Sequence, residues 1–136
     1  MIRTSTANWQ GSGKEGKGTL SVQSGLIANQ AYTYATRFEN APGTNPEDLV
    51  AAAHAACYSM KLSFVLGAAG FTPDNIDTAC SVTLENGAIT KSHLVLKASV
   101  PGITQDKFLE CANEAKLNCP ISKSLTAEIS LEATLA

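Results

Sequence analysis

The feature that most constrains this chain is a long uninterrupted helix, predicted over residues 44–70. Asn45 is a good N-cap, because its side-chain oxygen can accept a hydrogen bond from an unpaired backbone N–H of the first turn. Pro46 suits the first helical position, where no N–H is missed, and Gly70 suits the left-handed residue that closes a helix. At 1.5 Å per residue the helical body, residues 46–69, would be about 36 Å long. The rest of the chain must be arranged around it.

The composition of this helix predicts that it is buried on most sides. Large apolar residues surround its axis and leave no wide polar face: Leu49, Val50, Met60, Leu62, Phe64, Val65 and Leu66. A membrane span is the rival interpretation, since a span needs roughly 20 apolar residues. However, the run has no charged flanks and is interrupted at Glu47, Asp48, His54 and Lys61. We therefore predict the core helix of a soluble protein, with no membrane partner.

The overall composition is that of one small domain, which we expect to span residues 1–136. The net charge is −2 and no basic stripe is present, which argues against a nucleic-acid partner. The first residues lack the apolar run of a signal peptide, so we expect a cytoplasmic protein whose four cysteines are reduced thiols. The spacing of these cysteines matches no common zinc pattern, so we expect no structural metal.

Alternating, β-rich segments precede the long helix. They cover residues 3–10, 19–23 and 31–39, with a glycine-rich turn between the first two. In the third segment Arg37 shares a strand face with small side chains, which is an unusual place for a long cation.

After the long helix the pattern predicts a hairpin, a second helix and a last strand. Asn86-Gly87 is a strong hairpin signal, and Thr104 can cap the second helix. The expected segments are a strand that contains Cys80, a return strand over residues 88–100, a helix over Gln105–Asn118 that Cys119-Pro120 ends or kinks, and a strand over residues 127–135. This order of elements predicts an α+β domain.

The motif NPEDLVAAAHAACYSMKLS, which fills most of the long helix, resembles the central-helix signature of the OsmC (osmotically inducible protein C) family, relatives of the organic hydroperoxide resistance proteins. GKGTLSVQSG and YATRFENAPGT precede it, and a second cysteine follows in NCPIS, in the order and spacing of that family. The resemblance implies an OsmC-like fold, with antiparallel sheets around a buried central helix in an intertwined homodimer. The central helix is too long and too apolar for one small sheet to cover, and a second chain would cover the remaining apolar surface. The alanine-rich section, residues 51–56, suits a close crossing of two helices.

Cys57 has two interpretations. On composition alone, a free cysteine on an apolar helix is a small buried hydrophobe. The resemblance implies instead a peroxidatic thiolate that attacks the O–O bond of a hydroperoxide and becomes a sulfenic acid. Such a thiolate needs a nearby cation that lowers the thiol pKa. The family position of Cys57 favours the second interpretation.

Cys119 is the natural resolving partner, and its alternative is a core thiol at the end of a helix. It matches the second cysteine of the family, and its place before Pro120 predicts better exposure than that of Cys80 or Cys111 on their apolar faces. The implied product is an intramolecular disulfide between Cys57 and Cys119, which a dithiol can reopen.

The resemblance implies that Arg37 stabilises the Cys57 thiolate and that Glu47 orients Arg37 through a bidentate ion pair. Each residue also has an ordinary alternative, as a surface arginine and as first-turn charge on a helix dipole. Glu47 and Cys57 are ten residues apart on one helix, about 15 Å, so they cannot easily serve one site within a single chain. Two antiparallel helices that cross near Ala52 would bring Cys57 of one chain beside Glu47 of the other.

Together these features predict a thiol-dependent peroxidase of the stress response that reduces organic hydroperoxides to alcohols without metal, haem or flavin. The resemblance suggests a lipoyl-type dithiol as reductant. Met60, Phe64 and Leu125 are apolar residues that could favour a lipid-like substrate tail. Two other classes stay open: a thiol-based redox sensor, and a Cys–His hydrolase that uses His54, one helical turn before Cys57. We favour a structural His54, because no oxyanion-hole motif or orienting residue accompanies it.

Overall fold

The computed structural model describes all residues of the chain, Met1–Ala136. They form six strands and four helices, in the α+β class that the sequence predicts. The chain has two compact units, Met1–Leu49 and Val50–Ala136. That they form a single domain over residues 1–136 stays a prediction.

The N-terminal unit is built on an antiparallel sheet in the order β1–β2–β3. Its strands are β1 (Ser5–Gln10), β2 (Lys17–Val22) and β3 (Gln30–Tyr32), which confirms the first two predicted strands to within two residues at each end. Gly18 on β2 is in register with Trp9 and Tyr32, whose ring centroids are 5.4 Å apart. A Cβ atom at Gly18 would lie 2.7 Å from each ring, so the two aromatic side chains can meet only across a glycine.

The predicted third strand over residues 31–39 is wrong in its second half. β3 ends at Tyr32, and a short helix α1 (Tyr34–Phe38) follows. Thr33 begins this helix with a capping box, in which the Thr36 N–H donates to Thr33 Oγ1 at 3.2 Å and the Thr33 N–H donates to Thr36 Oγ1 at 3.0 Å. The alternation of aromatic and small residues resembles a strand, but these two reciprocal hydrogen bonds stabilise a helical turn. Arg37 therefore lies on a helix and not on a strand face.

The long helix is α2 (Pro46–Ala68), and both of its predicted ends are confirmed to within one residue. At its start the Asp48 N–H donates to Asn45 Oδ1 at 2.8 Å, which is the expected N-cap. Beyond its end Gly70 has a φ of +90°, and the Phe71 N–H donates to the Leu66 carbonyl at 2.9 Å.

α2 is buried along one face only, and the prediction that it is buried on most sides is wrong for the single chain. Tyr58, Leu62 and Leu66 are fully buried, whereas Met60 is 66% exposed and Phe64 is 70% exposed. By length and composition alone α2 could cross a membrane, a test that core helices of soluble proteins also pass. One three-stranded sheet and its helices cover one side of such a helix, so its opposite side remains apolar and uncovered.

The C-terminal unit contains the sheet β4–β5–β6, with β4 (Asn75–Glu85), β5 (Ala88–Ser99) and β6 (Glu128–Leu135). The predicted hairpin is confirmed: Asn86 and Gly87 join β4 to β5 with φ angles of +51° and +78°. β6, however, pairs with β5 in parallel, so the expectation of purely antiparallel sheets is wrong for this sheet. β6 is parallel to β5 because the two helices between these strands return the chain to the end of the sheet where β5 begins.

These connecting helices are α3 (Gln105–Asn118), which is confirmed with Thr104 as its N-cap, and α4 (Pro120–Ser124). The core of the unit lies between α2, α3 and alternate residues of β5, and its fully buried side chains include Tyr58, Leu62, Leu66, Leu94, Leu96, Phe108 and Ala112. Among the side-chain hydrogen bonds that join α2 to its neighbours, Tyr58 Oη donates to the Ala112 carbonyl at 3.1 Å, and Ser59 Oγ donates to Thr78 Oγ1 at 2.8 Å. They help fix the position of α2 on this core.

Candidate active site

The thiols of Cys57 and Cys119 are in direct contact, with their sulfur atoms 2.9 Å apart. Cys57 lies in the middle of α2, and Cys119 lies between α3 and α4. Both are free thiols, Cys57 half-buried and Cys119 fully buried. The two cysteines that the sequence singled out are therefore brought together, and the one on the long helix is the one accessible to solvent.

Cys119 is held in an extended backbone conformation, with φ −63° and ψ 126°, between two helices. Its N–H donates to the Ala115 carbonyl at 2.9 Å, and its carbonyl accepts from the Lys123 N–H at 3.0 Å. The expectation that Cys119 is better exposed than the other cysteines is wrong. Pro120 is the first residue of a new helix, α4, rather than only the end of α3. Cys119 lies at the junction between the two helices, and its side chain is in the core.

The other two cysteines have different surroundings. Cys111 lies on α3 within the hydrophobic core and is 2% exposed. Cys80 is on β4, where its sulfur is 3.3 Å from Ser92 Oγ and 3.9 Å from His54 Nδ1. Cys119 is thus the thiol that contacts Cys57.

Burial raises the pKa of the Cys57 thiol, and its hydrogen bond with Cys119 adds to this effect. The backbone N–H of Ile121 and the Lys61 ammonium act in the opposite direction, because both stabilise the thiolate. The net result in the single chain is a thiol harder to ionise than a free cysteine. No sequence pattern could indicate the role of Ile121, since its contribution comes from a backbone N–H that every residue except proline carries.

Arg37 and Glu47, both in the N-terminal unit, form the bidentate ion pair that the resemblance implies. Arg37 Nη2 donates to Glu47 Oε1 at 2.6 Å, and Arg37 Nε donates to Glu47 Oε2 at 3.1 Å. This hydrogen bond to the carboxylate raises the pKa of Arg37, so the guanidinium stays charged. The Arg37 side chain is 39% exposed and that of Glu47 is 14% exposed. The roles of both residues in catalysis stay predictions.

His54 is fully buried and does not form a dyad with Cys57. Its Nδ1 is 2.6 Å from Ser92 Oγ on β5, and its Nε2 is 2.8 Å from Ser122 Oγ on α4. Burial lowers the pKa of His54, which favours the neutral imidazole. This geometry supports the interpretation of His54 as a satisfied structural residue. The two serines could not be found from the sequence, because they lie in distant elements and belong to no motif.

The three apolar residues considered for the substrate tail lie in different places. Met60 and Phe64 are on the exposed face of α2, whereas Leu125 is the half-buried C-cap of α4. No group of three or more His, Cys, Asp and Glu side chains in the chain is arranged to hold a metal ion.

Comparison with known proteins gives one consistent result. Residues 38–134 match the family described as OsmC, OsmC-like protein. Over 133 residues the chain is 50% identical to Peroxiredoxin OsmC of Escherichia coli (strain K12), covering 95% of this chain and 93% of that protein.

The fold agrees with that of solved structures whose sequences are less similar. The OsmC like protein from Mycoplasma pneumoniae superposes with a TM-score of 0.77 at 14% identity, covering 100% of this chain and 98% of that one. The Organic Hydroperoxide Resistance Protein OhrB of Bacillus subtilis superposes with a TM-score of 0.65 at 23% identity, covering 98% of each chain. The family match, the identity to the E. coli protein and the shared fold lead to one conclusion: this chain belongs to the OsmC family.

Proposed function

We propose that this protein is a cysteine-based peroxidase that reduces organic hydroperoxides to alcohols, with Cys57 as the nucleophile. The observation that carries the proposal is the 2.9 Å contact between the half-buried Cys57 thiol and the buried Cys119 thiol. A hydroperoxide can reach the first thiol, and the second is already in contact to close a disulfide. The names of two relatives, a peroxiredoxin and an organic hydroperoxide resistance protein, support the same class of reaction.

In the first step the Cys57 thiolate attacks one oxygen of the O–O bond. An S–O bond forms, the O–O bond breaks, and the departing alkoxide takes a proton to leave as the alcohol. Cys57 is oxidised to the sulfenic acid, and the hydroperoxide is reduced.

In the second step the Cys119 thiolate attacks the sulfenic sulfur of Cys57. The S–S bond forms, and the hydroxide that leaves takes up the proton given by the Cys119 thiol and departs as water. Since the sulfur atoms are 2.9 Å apart, they need to approach by only about 0.9 Å to reach disulfide length. A dithiol then reopens the bridge by exchange, and a lipoyl-type dithiol is our candidate reductant.

The Arg37–Glu47 pair is our candidate for activating Cys57. Burial raises the pKa of this thiol, so fast attack needs a further positive charge beside it. Glu47 binds Nε and Nη2 of Arg37, which leaves Nη1 to approach the thiolate or the peroxide oxygen. Glu47 thus orients the guanidinium without occupying all of its donors.

A homodimer would bring this pair to Cys57. The exposed side of α2, which we call the α2 outer face, is formed by small and apolar residues: Ala52, Ala53, Ala56, Met60, Ser63, Phe64 and Gly67. Such a continuous apolar stripe is typical of an interface. Because about 15 Å of helix separates Glu47 from Cys57, two α2 helices that cross at the alanines would let the partner subunit's Arg37 serve Cys57.

The α2 outer face also supports the choice of an organic substrate. Met60 lies one helical turn beyond Cys57 and is 66% exposed, so an alkyl or aryl tail would find apolar surface beside the thiol. Hydrogen peroxide has no such tail and should be the poorer substrate. We also propose the cytoplasm as the location of the protein, a reducing compartment in which its four cysteines would be kept as thiols.

The test is peroxide consumption with cumene hydroperoxide or hydrogen peroxide and dihydrolipoamide as the dithiol. We expect turnover by the native protein and by Cys111→Ser, the matched control, and none by Cys57→Ser, since a neutral hydroxyl is a far poorer nucleophile than a thiolate. Turnover by Cys57→Ser would contradict the assignment of the nucleophile. One round of oxidation without turnover would favour the thiol-based redox sensor instead.

A further inference from the structure

His54 joins two elements through a buried polar bridge. Its ring nitrogens are 2.6 Å from Ser92 Oγ and 2.8 Å from Ser122 Oγ, and all three side chains are at least 93% buried, with exposures of 0%, 0% and 7%. Cys80 Sγ is the other group facing the ring, 3.9 Å from Nδ1. A hydroxyl can both donate and accept, so either neutral tautomer of the imidazole satisfies the bridge.

The end of this bridge at Ser122 lies close in the chain to Cys119. Ser122 belongs to α4, which begins at Pro120, directly after Cys119. α4 has five residues, and Ser122 is its only buried one. A helix this short has little stability of its own, so its position depends on its contacts with the rest of the unit: those of Ser122 and those of Ile121, which packs against the core.

The geometry points to His54 as a positioning residue that anchors α4 through Ser122. His54 and Cys57 are both on α2, so this anchor keeps Cys119, at the start of α4, in contact with Cys57. This inference rests on the proposed disulfide mechanism. His54 does not touch the reacting atoms; it acts through Ser122. When Cys57 is a sulfenic acid, an anchored α4 keeps the Cys119 thiol within reach of it, so the disulfide forms quickly. A loosened α4 holds Cys119 in contact for less of the time, so the sulfenic acid persists longer.

The consequence is specific to the second step. Loss of the hydrogen bond to Ser122 should slow disulfide formation by about tenfold, the effect of one buried hydrogen bond on an equilibrium between anchored and loosened α4. The attack of Cys57 on the hydroperoxide should change much less. Excess hydroperoxide should then convert more Cys57 to sulfinic acid, because that oxidation competes with closure of the bridge.

Two substitutions of His54 separate anchoring of α4 from packing in general. A glutamine amide reaches about as far as Nε2 and keeps a partner for Ser122, whereas an asparagine amide reaches about as far as Nδ1 and keeps a partner for Ser92. His54→Gln and His54→Asn each lose one hydrogen bond and keep one. A purely structural role predicts similar defects in both.

The experiment adds one equivalent of cumene hydroperoxide to the full-length native protein and to each variant. The reaction is stopped by alkylation at successive times, and mass spectrometry follows Cys57 as thiol, sulfenic acid, sulfinic acid and disulfide. We expect His54→Gln to form the disulfide at close to the native rate and His54→Asn to form it about tenfold more slowly. Ser122→Ala and Ser92→Ala form a second matched pair for use if a His54 variant does not fold, with the slow closure expected only in Ser122→Ala.

Equal rates of disulfide formation in both members of a folded pair, whether both native or both slow, would overturn the positioning role. That outcome differs from failure of the proposed function, in which the native protein itself would form no Cys57–Cys119 disulfide.

Discussion

Cys57 and Cys119 are 62 residues apart in the sequence, yet their sulfur atoms lie within 2.9 Å in the folded chain. Two elements with different freedom to move carry them: Cys57 is inside a helix of 23 residues, and Cys119 is at a junction between two helices. Because a residue inside a long helix cannot move alone, the movement that closes a disulfide should come from the junction.

We therefore predict that one equivalent of an organic hydroperoxide links Cys57 to Cys119 within a single chain. In Cys119→Ser the first oxidation should survive, but Cys57 should accumulate as sulfenic acid and then over-oxidise, since no thiol is in contact to resolve it. Peptide mapping by mass spectrometry measures both outcomes. A bridge from Cys57 to Cys80 or Cys111 would show that Cys119 is the wrong partner.

The parts of this structure that the sequence predicts are those with local signals. Asn45 and Gly70 mark the two ends of α2, and Asn86-Gly87 marks the hairpin, because capping and turn geometry depend on a few neighbouring residues. The pairing of Arg37 with Glu47 and of Cys57 with Cys119 comes from the family resemblance. Composition alone predicts a buried Cys57 with no chemical role.

The parts that the sequence does not predict depend on distant contacts. The parallel direction of β6 follows from where α3 and α4 return the chain, and Cys119 is buried because α4 begins immediately after it. His54 has its partners 38 and 68 residues away, so no pattern near it could reveal them. α1 is a different case, because its capping box is local and is formed by Thr33 and Thr36. The alternation of aromatic and small residues around them predicts a strand instead.

The α2 outer face leads to a prediction about assembly. The native protein should sediment at about twice 14.2 kDa, and Phe64→Glu should shift it toward a monomer, because a carboxylate buried in an apolar interface costs several kcal/mol. Leu117→Glu is the matched control, since Leu117 on α3 is 67% exposed and Phe64 is 70% exposed. Light scattering distinguishes the two states. A stable, fully active native monomer would remove both the dimer and the shared site.

The buried imidazole of His54 leads to a prediction about pH. Burial lowers the pKa of His54 in the folded state below its ordinary value of 6.5, so the unfolded chain binds more protons as the pH falls through that value. The stability linked to His54 is therefore complete above pH 6.5 and is lost on acidification, by at most about 1.4 kcal/mol per pH unit for one proton.

Chemical denaturation at pH 7.5 and pH 5.5 measures this loss. His54→Gln should reduce the difference between the two pH values, whereas His93→Gln, which removes the other histidine of the chain, should keep it. Equal pH dependence in the native protein and His54→Gln would rule out His54 as its source.

Arg37 should lower the pKa of Cys57 in the assembled protein if it supplies the activating charge. Arg37→Ala should raise that pKa and move the rise in the rate of Cys57 oxidation to higher pH, since a larger fraction of the thiol stays protonated. Titration of the thiolate absorbance, with Cys80, Cys111 and Cys119 replaced by serine to isolate Cys57, measures the shift. Arg3→Ala is the control, because Arg3 is an exposed arginine outside the elements that carry the proposed site. An unchanged pKa in Arg37→Ala would leave Arg37 without this role.

Mixed dimers decide which chain supplies that arginine. Cys57→Ser protomers lack the nucleophile and Arg37→Ala protomers lack the cation, so each homodimer should be inactive or slow. In a mixed dimer the Cys57 of the Arg37→Ala protomer would face the partner subunit's Arg37 if the site is shared, and peroxide reduction should return to about half of the native rate per dimer. If each protomer uses its own Arg37, mixing restores no activity, because no chain then carries both residues.

We expect recovery of activity in the mixed dimer, since about 15 Å of α2 separates Glu47, the residue that orients Arg37, from Cys57 of the same chain. Co-expression with two different affinity tags, purification of the doubly tagged dimer and an assay with cumene hydroperoxide give the answer.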